Sequence, residues 1–159
     1  MKSLVLFDSV YGNTEKVARA IGAVLAQSGD VEVLPVTTLS AEQLSGLDLL
    51  VVGSPTQAFG PIQGTKDFLK SLAGKSLKGL KVAAFDTRMD VKVVKSPVLT
   101  IFAGIFGYAA EKVSRGLKSS GGVEVVAPAG FFVTDKEGPL TDGELERAAA
   151  WAGEILKKI

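Results

Sequence analysis

LVLFDSVYGNT, residues 4–14, places four apolar residues directly before a loop that carries three hydroxyl side chains. The apolar run from Leu4 to Phe7 predicts a buried strand. After the loop, apolar side chains recur at helical spacing until Ser28-Gly29, where glycine favours the end of a helix. The residues with this spacing are Val17, Ile21, Val24 and Leu25. The start of the chain therefore predicts one strand–loop–helix unit.

Four further units of this kind follow. Short apolar runs predict strands at residues 31–36, 47–52, 82–85 and 123–126. Pro35 removes a backbone donor from the second run, which favours an edge position. The alternation predicts an α/β fold, a doubly wound three-layer sandwich with a five-stranded parallel sheet in the order 2-1-3-4-5. No linker interrupts the pattern, so we expect residues 1–159 to form a single domain.

Helical spacing also predicts which side chains of the later helices face inward. These positions are Ile62, Thr65, Phe68, Leu69 and Leu72 before the fourth strand, Phe106, Ala109, Ala110, Val113 and Leu117 before the fifth, and Leu145, Ala148, Ala149, Ala152, Ile155, Leu156 and Ile159 after it. Thr141 or Asp142 is the predicted cap of the last helix.

The composition excludes much of protein chemistry. The chain has no cysteine and no histidine, which excludes disulfides, zinc–thiolate sites, iron–sulfur clusters and catalytic triads built on histidine. No metal site is predicted. Eighteen basic and seventeen acidic residues give a net charge of +1, which does not favour binding to nucleic acid. Any chemistry must come from a bound cofactor or from carboxylates, hydroxyls and amines.

Two apolar segments bear on location and partners. The N-terminal run stops at Asp8 and is too short for a secretory signal, so we expect a cytoplasmic protein. Ser96 to Ala110 carries no charge, but it is shorter than a membrane-spanning helix and is interrupted by proline and glycine. This segment is either buried in the core, which burial tendencies favour, or it contacts a partner, as in a homodimer.

Ligands of such sheets bind at the carboxyl ends of the strands, where the winding reverses. The first loop there offers Ser9, Val10, Tyr11, Gly12, Asn13 and Thr14. Hydroxyls and free amides at a helix N-terminus can bind an anion, whereas the alternative is a turn with a simple helix cap. The loop lacks the glycine patterns of P-loop NTPases and dinucleotide-binding folds. A receiver domain of the same topology needs a carboxylate at the end of the third strand. This chain has Gly53-Ser54 at that position, so a receiver domain is not predicted.

The loops after the third and fourth strands complete this edge. The second predicted loop, residues 53–61, contains Pro55, Thr56, Gln57, Ala58, Phe59 and Gly60, and the third, residues 86–97, begins with Asp86, Thr87, Arg88 and Met89. Phe59 either stacks on a planar ligand or fills the core beneath its loop. Met89 offers a polarizable contact to a ring. Arg88 either favours an anionic reduced ring or pairs with a neighbouring aspartate.

Together these loops resemble those of the flavodoxin family, which carry flavin mononucleotide (FMN) on a 2-1-3-4-5 sheet. Ser9-x-Tyr11-Gly12-Asn13-Thr14 is similar to the family's phosphate loop, S/T-x-T-G-x-T, with tyrosine in place of the middle threonine. The tyrosine form resembles loops of A-type flavoproteins and flavodoxin-like quinone reductases. The resemblance covers nearly the whole chain and implies that the first loop binds phosphate and that Phe59 stacks on the inner face of the flavin.

The sequence departs from the family in two respects. Many flavodoxins place a tyrosine on the outer flavin face, but this chain has no tyrosine between the start of the third loop and Tyr108. The outer flavin face would then be covered by Met89, by residues 98–106 or by a partner. Many flavodoxins are also strongly acidic, unlike this chain. Residues 131–148 resemble the C-terminal part of uncharacterised bacterial and archaeal proteins of the flavodoxin or nitric-oxide-synthase-like type.

The resemblance implies an FMN-binding electron carrier whose redox chemistry belongs to the flavin and whose partners are redox proteins. Under this interpretation no residue of the chain is a catalytic nucleophile or base. An alternative is an FMN-dependent NAD(P)H:quinone oxidoreductase with a small quinone-like acceptor, since the absent tyrosine would leave room on one flavin face. A third is an interaction module without cofactor, against which the hydroxyls of loop one and Phe59 count.

Overall fold

The computed structural model describes residues 1–72, 74 and 76–159. The strands are β1 (Lys2–Phe7), β2 (Asp30–Pro35), β3 (Leu49–Gln57), β4 (Gly60–Pro61), β5 (Lys81–Met89), β6 (Val123–Glu124) and β7 (Ala129–Val133). The helices are α1 (Asn13–Leu25), α2 (Gln63–Ser71), α3 (Val91–Val94), α4 (Pro97–Phe106), α5 (Ala109–Ser119) and α6 (Glu144–Leu156). None of these helices is both long enough and apolar enough to cross a membrane.

The strands form one sheet in the order β2-β1-β3-β5-β6, and all pairs on this path are parallel. β6 and β7 pair with successive parts of β5, so they form a single outer position that is interrupted between Glu124 and Ala129. Counted by position, this is the predicted 2-1-3-4-5 order, which is confirmed. β2, which ends at Pro35, is the predicted edge strand.

The core lies in two layers, one on each face of the sheet. α1 and α6 cover one face together with the aromatic side chains of Phe85, Phe131 and Trp151, which meet edge to face. The Trp151 Nε1–H donates to the Ala127 carbonyl at 3.2 Å. α2 and α5 cover the other face. Both central strands are therefore buried on both sides, which explains their continuous apolar runs.

The central strands are longer than their apolar runs predict. Their parallel pairing with each other extends to Pro55 and Thr87. Beyond it, β3 continues to Gln57 because it pairs with β4, and β5 continues to Met89 because it pairs with β7. The boundaries at Gly53 and Asp86, where we predicted that the second and third loops begin, were wrong. The first residues of both predicted loops are held in register by the sheet.

We expected the uncharged segment from Ser96 to Ala110 to be buried in the core, but most of its side chains are exposed. Phe106 was predicted on the inner face of α5, but α4 ends there and the chain turns at Gly107 before α5 begins. α2 and α5 cover this face of the sheet, and no residue of α4 belongs to the core cluster there. The exposed side chains of α4 are Val98, Leu99, Ile101, Phe102, Ile105 and Phe106, and only Ala103 is buried.

The start of α6 also differs from the prediction. Gly143 is the N-cap residue, in place of the predicted Thr141 or Asp142. Leu145 is exposed rather than inward-facing, and its neighbour Glu144 is buried instead. The Glu144 carboxylate accepts the Phe132 amide at 2.6 Å and pairs with Arg147. The first turn of α6 is therefore oriented so that Glu144 bonds to β7, and Leu145 is left exposed to solvent.

Candidate functional site

A cleft opens at the carboxyl end of the sheet, where β1, β3 and β5 end. It brings together most of the predicted site residues from all three loops. Its lining residues are Ser9, Val10, Tyr11, Asn13, Thr14, Pro55, Thr56, Gln57, Thr87, Arg88, Met89, Val133 and Lys136. The predicted residues that do not line it are Gly12, Ala58, Phe59, Gly60 and Asp86.

The first loop presents the N-terminus of α1 to this cleft. Gly12 is the N-cap, with a φ of 86° that favours glycine, and it supplies no side-chain acceptor to the first-turn amides. The Ser9 Oγ accepts the Gly12 amide at 3.1 Å, so the hydroxyl proton of Ser9 stays available for a ligand. The positive end of the helix dipole and these donors favour an anion.

Two buried threonines join the first loop to the third. The Thr14 and Thr87 hydroxyl oxygens lie 2.8 Å apart, and their side chains are almost fully buried. One hydroxyl donates to the other, which leaves one proton of the pair free to bond to a ligand in the cleft. The contact fixes the start of α1 against the end of β5, so the two loops have a defined separation.

The second loop is a tight hairpin between β3 and β4. Ala58 and Phe59 form its two-residue turn, both in the left-handed region with φ values of 46° and 61°. The Lys112 ammonium of α5 donates to the Phe59 carbonyl at 2.6 Å and holds the turn. Residues other than glycine rarely adopt this backbone conformation, so the turn stores strain beside the cleft.

Phe59 lies against α4 in this structure. Its ring centroid is 6.1 Å from that of Phe102 and 6.0 Å from that of Phe106, and the latter two rings stack at 5.7 Å. This aromatic cluster connects the hairpin to the exposed helix. Stacking of Phe59 on a flavin stays a prediction.

Asp86 and Arg88 form an ion pair beneath the cleft. Asp86 is fully buried, and Arg88 contacts it through Nε at 2.6 Å and a terminal nitrogen at 2.7 Å. Asp86 also accepts the Ala110 amide at 2.9 Å and the Thr56 hydroxyl at 3.1 Å. Burial raises the pKa of the Asp86 carboxyl, and Arg88, Ala110 and Thr56 partly oppose this shift.

The guanidinium of Arg88 is packed against Tyr108 and close to Gly130. Its carbon lies 3.7 Å from the centroid of the Tyr108 ring, a cation–π contact. A Cβ atom at Gly130 would overlap the guanidinium, so a larger residue there would displace Arg88. Of the two predicted roles of Arg88, pairing with Asp86 is the one found, and the pair is buried rather than in water.

Sequence reasoning did not identify two residues that line the cleft. Val133 ends β7 and Lys136 lies in the following loop, both far along the chain from the three predicted loops. The family resemblance in residues 131–148 marked this segment without giving it a role. The only local sequence signal is the Gly138-Pro139 turn, which brings the loop back toward the sheet.

The donor set of the cleft fits a phosphorylated flavin. Free amides and hydroxyls at α1 suit the phosphate, while Pro55, Met89 and Val133 offer apolar contact to a ring system. The same cleft therefore offers donors for the phosphate and apolar contacts for the ring system.

Comparisons with known proteins agree with this geometry. The sequence model of the flavodoxin family matches residues 5–87, just over half of the chain. Flavodoxin 1 from Bacillus cereus is similar in fold, with 21% identity, a TM-score of 0.78 and coverage of 100% of this chain and 99% of that one. A flavodoxin from the domain Archaea has 21% identity, a TM-score of 0.76 and coverage of 99% and 98%.

The fold also resembles part of a larger enzyme. Rubredoxin oxygen:oxidoreductase from Desulfovibrio gigas aligns with 98% of this chain over 35% of its own length, at 20% identity and a TM-score of 0.71. The family match, which includes the phosphate-loop sequence and the first part of β5, decides the assignment. The chain therefore belongs to the flavodoxin family of FMN-binding electron-transfer proteins.

Proposed function

We propose that the chain is an electron carrier that holds FMN in the cleft formed by its three loops, and that residues 1–159 act as one domain. The observation that carries this proposal is the N-terminus of α1, which has no side-chain cap and opens into the cleft beside the remaining hydroxyl protons of Ser9 and of the Thr14–Thr87 pair. FMN, when bound, supplies the redox chemistry. The protein binds and orients it.

Each end of the cleft has its own task in this proposal. Ser9, Thr14 and the first amides of α1 hold the phosphate through neutral donors. Thr56, Gln57, Thr87 and Met89 bound the space for the ring, and the hydrogen bonds from Thr56 and Thr87 keep the walls in place. The chain offers no histidine or cysteine to react with the ring.

A double substitution tests the phosphate assignment. Ser9→Ala with Thr14→Ala removes two hydroxyl donors, so we expect the Kd for FMN to rise at least tenfold, as for about 1.4 kcal/mol. Quenching of flavin fluorescence measures the Kd. A matched control, Ser28→Ala with Ser119→Ala, removes exposed hydroxyls outside the cleft and should leave the Kd unchanged. Unchanged affinity in the first variant would refute the assignment.

The electron-transfer role implies redox partner proteins, and one feature favours a small quinone-like acceptor as well. An apolar recess adjoins the cleft and shares Met89 and Val133 with it. Its other walls are Asp90, Val93, Phe132, Thr134 and Thr141. A planar, weakly polar molecule suits such walls. This recess is the support for the quinone oxidoreductase alternative.

Steady-state kinetics separates the carrier from the oxidoreductase. The assay mixes the FMN-loaded protein with NADPH and a soluble quinone and measures NADPH oxidation. A carrier should oxidise NADPH no faster than free FMN does until a separate reductase is added. Val93→Trp would fill the recess and serves as the matched variant. If the protein oxidises NADPH with the quinone in the absence of a reductase, and Val93→Trp abolishes this activity, the oxidoreductase is favoured over the carrier.

We also propose that α4 contacts a second copy of the chain, since its apolar side chains are exposed and uncharged. A cytoplasmic location stays a prediction.

A further inference from the structure

The loop of residues 134–140 reaches the cleft through Lys136. Val133 and Leu140 form an antiparallel bridge at its base. Two hydrogen bonds of 2.9 Å reinforce the base, from the Thr134 amide to the Pro139 carbonyl and from the Thr141 amide to the Phe132 carbonyl. Within the loop, the Gly138 amide donates to the Asp135 carbonyl at 2.9 Å. The 134–140 loop therefore has its own hydrogen-bonded structure.

Asn13 of α1 fixes this loop in place. Its side chain is buried, and Nδ2 donates to the Glu137 carbonyl at 3.0 Å. Gly138 packs so closely on Asn13 that a Cβ atom would lie 2.6 Å from Nδ2. The φ of Gly138, 101°, also favours glycine. These contacts join the loop to the first turn of α1.

Lys136 is the cation that this arrangement brings to the cleft. It lies in the cleft wall with Ser9, Tyr11, Asn13 and Thr14. Within residues 1–72, 74 and 76–159, its ammonium forms no ion pair, whereas Glu15 of α1 is paired with Arg19 at 2.7 Å. Arg88, the other cation of the cleft wall, is paired with Asp86. Lys136 is therefore available to an anionic ligand.

We propose that the Lys136 ammonium pairs with the phosphate of FMN and that this residue strengthens the preference of the cleft for phosphorylated flavin over riboflavin. The proposal rests on the proposed function. The phosphate-loop pattern contains no charged residue, so the cation of the cleft wall that lacks an ion pair comes from a loop that is remote in sequence and tied to Asn13. A charged hydrogen bond to a phosphate is stronger than one from a neutral donor.

A comparison of two flavins isolates this charge. Lys136→Gln keeps a polar side chain of similar length but removes the charge, so we expect the Kd for FMN to rise about tenfold and that for riboflavin to stay constant. The salt dependence of FMN binding should also weaken in this variant. Lys136→Arg should retain FMN affinity. Lys158→Gln, at an exposed site just after the end of α6, is the matched control and should change neither Kd.

The outcomes separate this inference from the proposed function. If the wild type prefers FMN to riboflavin and Lys136→Gln keeps the same preference, the role of Lys136 is refuted while the phosphate loop stands. An equal loss of affinity for both flavins would also refute it, because the substitution would then act on the ring or the fold. If the wild type binds FMN no better than riboflavin, both the proposed phosphate site and the role of Lys136 fail.

Discussion

Asp86 connects three parts of the protein through one carboxylate. It lies on β5, accepts the Ala110 amide at the start of α5, and receives the Thr56 hydroxyl from β3. The Thr56 hydroxyl oxygen in turn accepts the Ala109 amide at 2.9 Å. Arg88 balances the charge of this junction and also lines the cleft. The walls of the cleft and the start of α5 are therefore held by the same polar group.

Removal of the cation should make this junction more sensitive to pH. Arg88→Gln leaves Asp86 buried without its counter-charge, so we expect a loss of about 3 kcal/mol in the free energy of unfolding at pH 7. Without Arg88 the pKa of Asp86 rises further, and the folded protein then holds the proton more tightly than the unfolded chain does. Stability should therefore fall as pH rises above the ordinary carboxyl pKa of about 4.

Urea unfolding of the FMN-free protein at pH 5 and pH 7 checks this expectation. The loss caused by Arg88→Gln should be smaller at pH 5 than at pH 7. A second substitution, Asp86→Asn in the Arg88→Gln background, should remove the difference between the two pH values. A pH-independent loss would show that Arg88 acts through packing on Tyr108 instead.

Among the secondary-structure elements, α4 is joined to the rest of the molecule by few side chains. Phe102 and Phe106 stack with each other and pack on Phe59 of the hairpin. Most of the other side chains of α4 are exposed. We infer that this aromatic cluster is the main attachment of α4.

Hydrogen exchange tests this attachment. Phe59→Ala should speed the exchange of amides in residues 97–106 and leave α5 unchanged, because local opening of α4 becomes easier. Phe102→Ala should do the same, whereas Ile105→Ala, at a largely exposed side chain, should not. If Phe59 also stacks on the flavin, Phe59→Ala weakens FMN binding and Phe102→Ala does not. Unchanged exchange in both phenylalanine variants would contradict the attachment.

Local sequence was sufficient for some elements and insufficient for others. The sheet order and the position of loop one follow from apolar runs and turn residues that lie close together in the chain. The orientation of Phe59, the exposure of α4 and the place of Lys136 depend on contacts across 40 residues or more, such as that between Asn13 and Glu137. Periodicity contains no information about such contacts.

For the whole molecule, the exposed face of α4 is the feature that most affects assembly. A patch of six apolar side chains without charge is unusual on a monomer. Burial of such a patch against its copy would remove it from water, with a gain of about 25 cal/mol per Å². The net charge of +1 adds little repulsion between copies.

Light scattering coupled to size exclusion measures the assembly. The wild type should elute with twice the mass of one chain, and Ile101→Lys with Ile105→Lys should give the mass of a single chain. Leu145→Lys, at an exposed apolar site on α6, is the control and should keep the wild-type mass. A wild type that elutes as one chain at all concentrations would contradict the proposed contact.

The position of Trp151 gives the protein an intrinsic optical reporter. It is the only tryptophan of the chain, and it packs between Phe85 and Phe131 on the face of the sheet covered by α1 and α6. The indole therefore emits from a site outside the cleft, so its emission wavelength follows the packing of α6. Since indole emission overlaps flavin absorption, its intensity would register cofactor loading through energy transfer, and one spectrum would then report folding and occupancy separately.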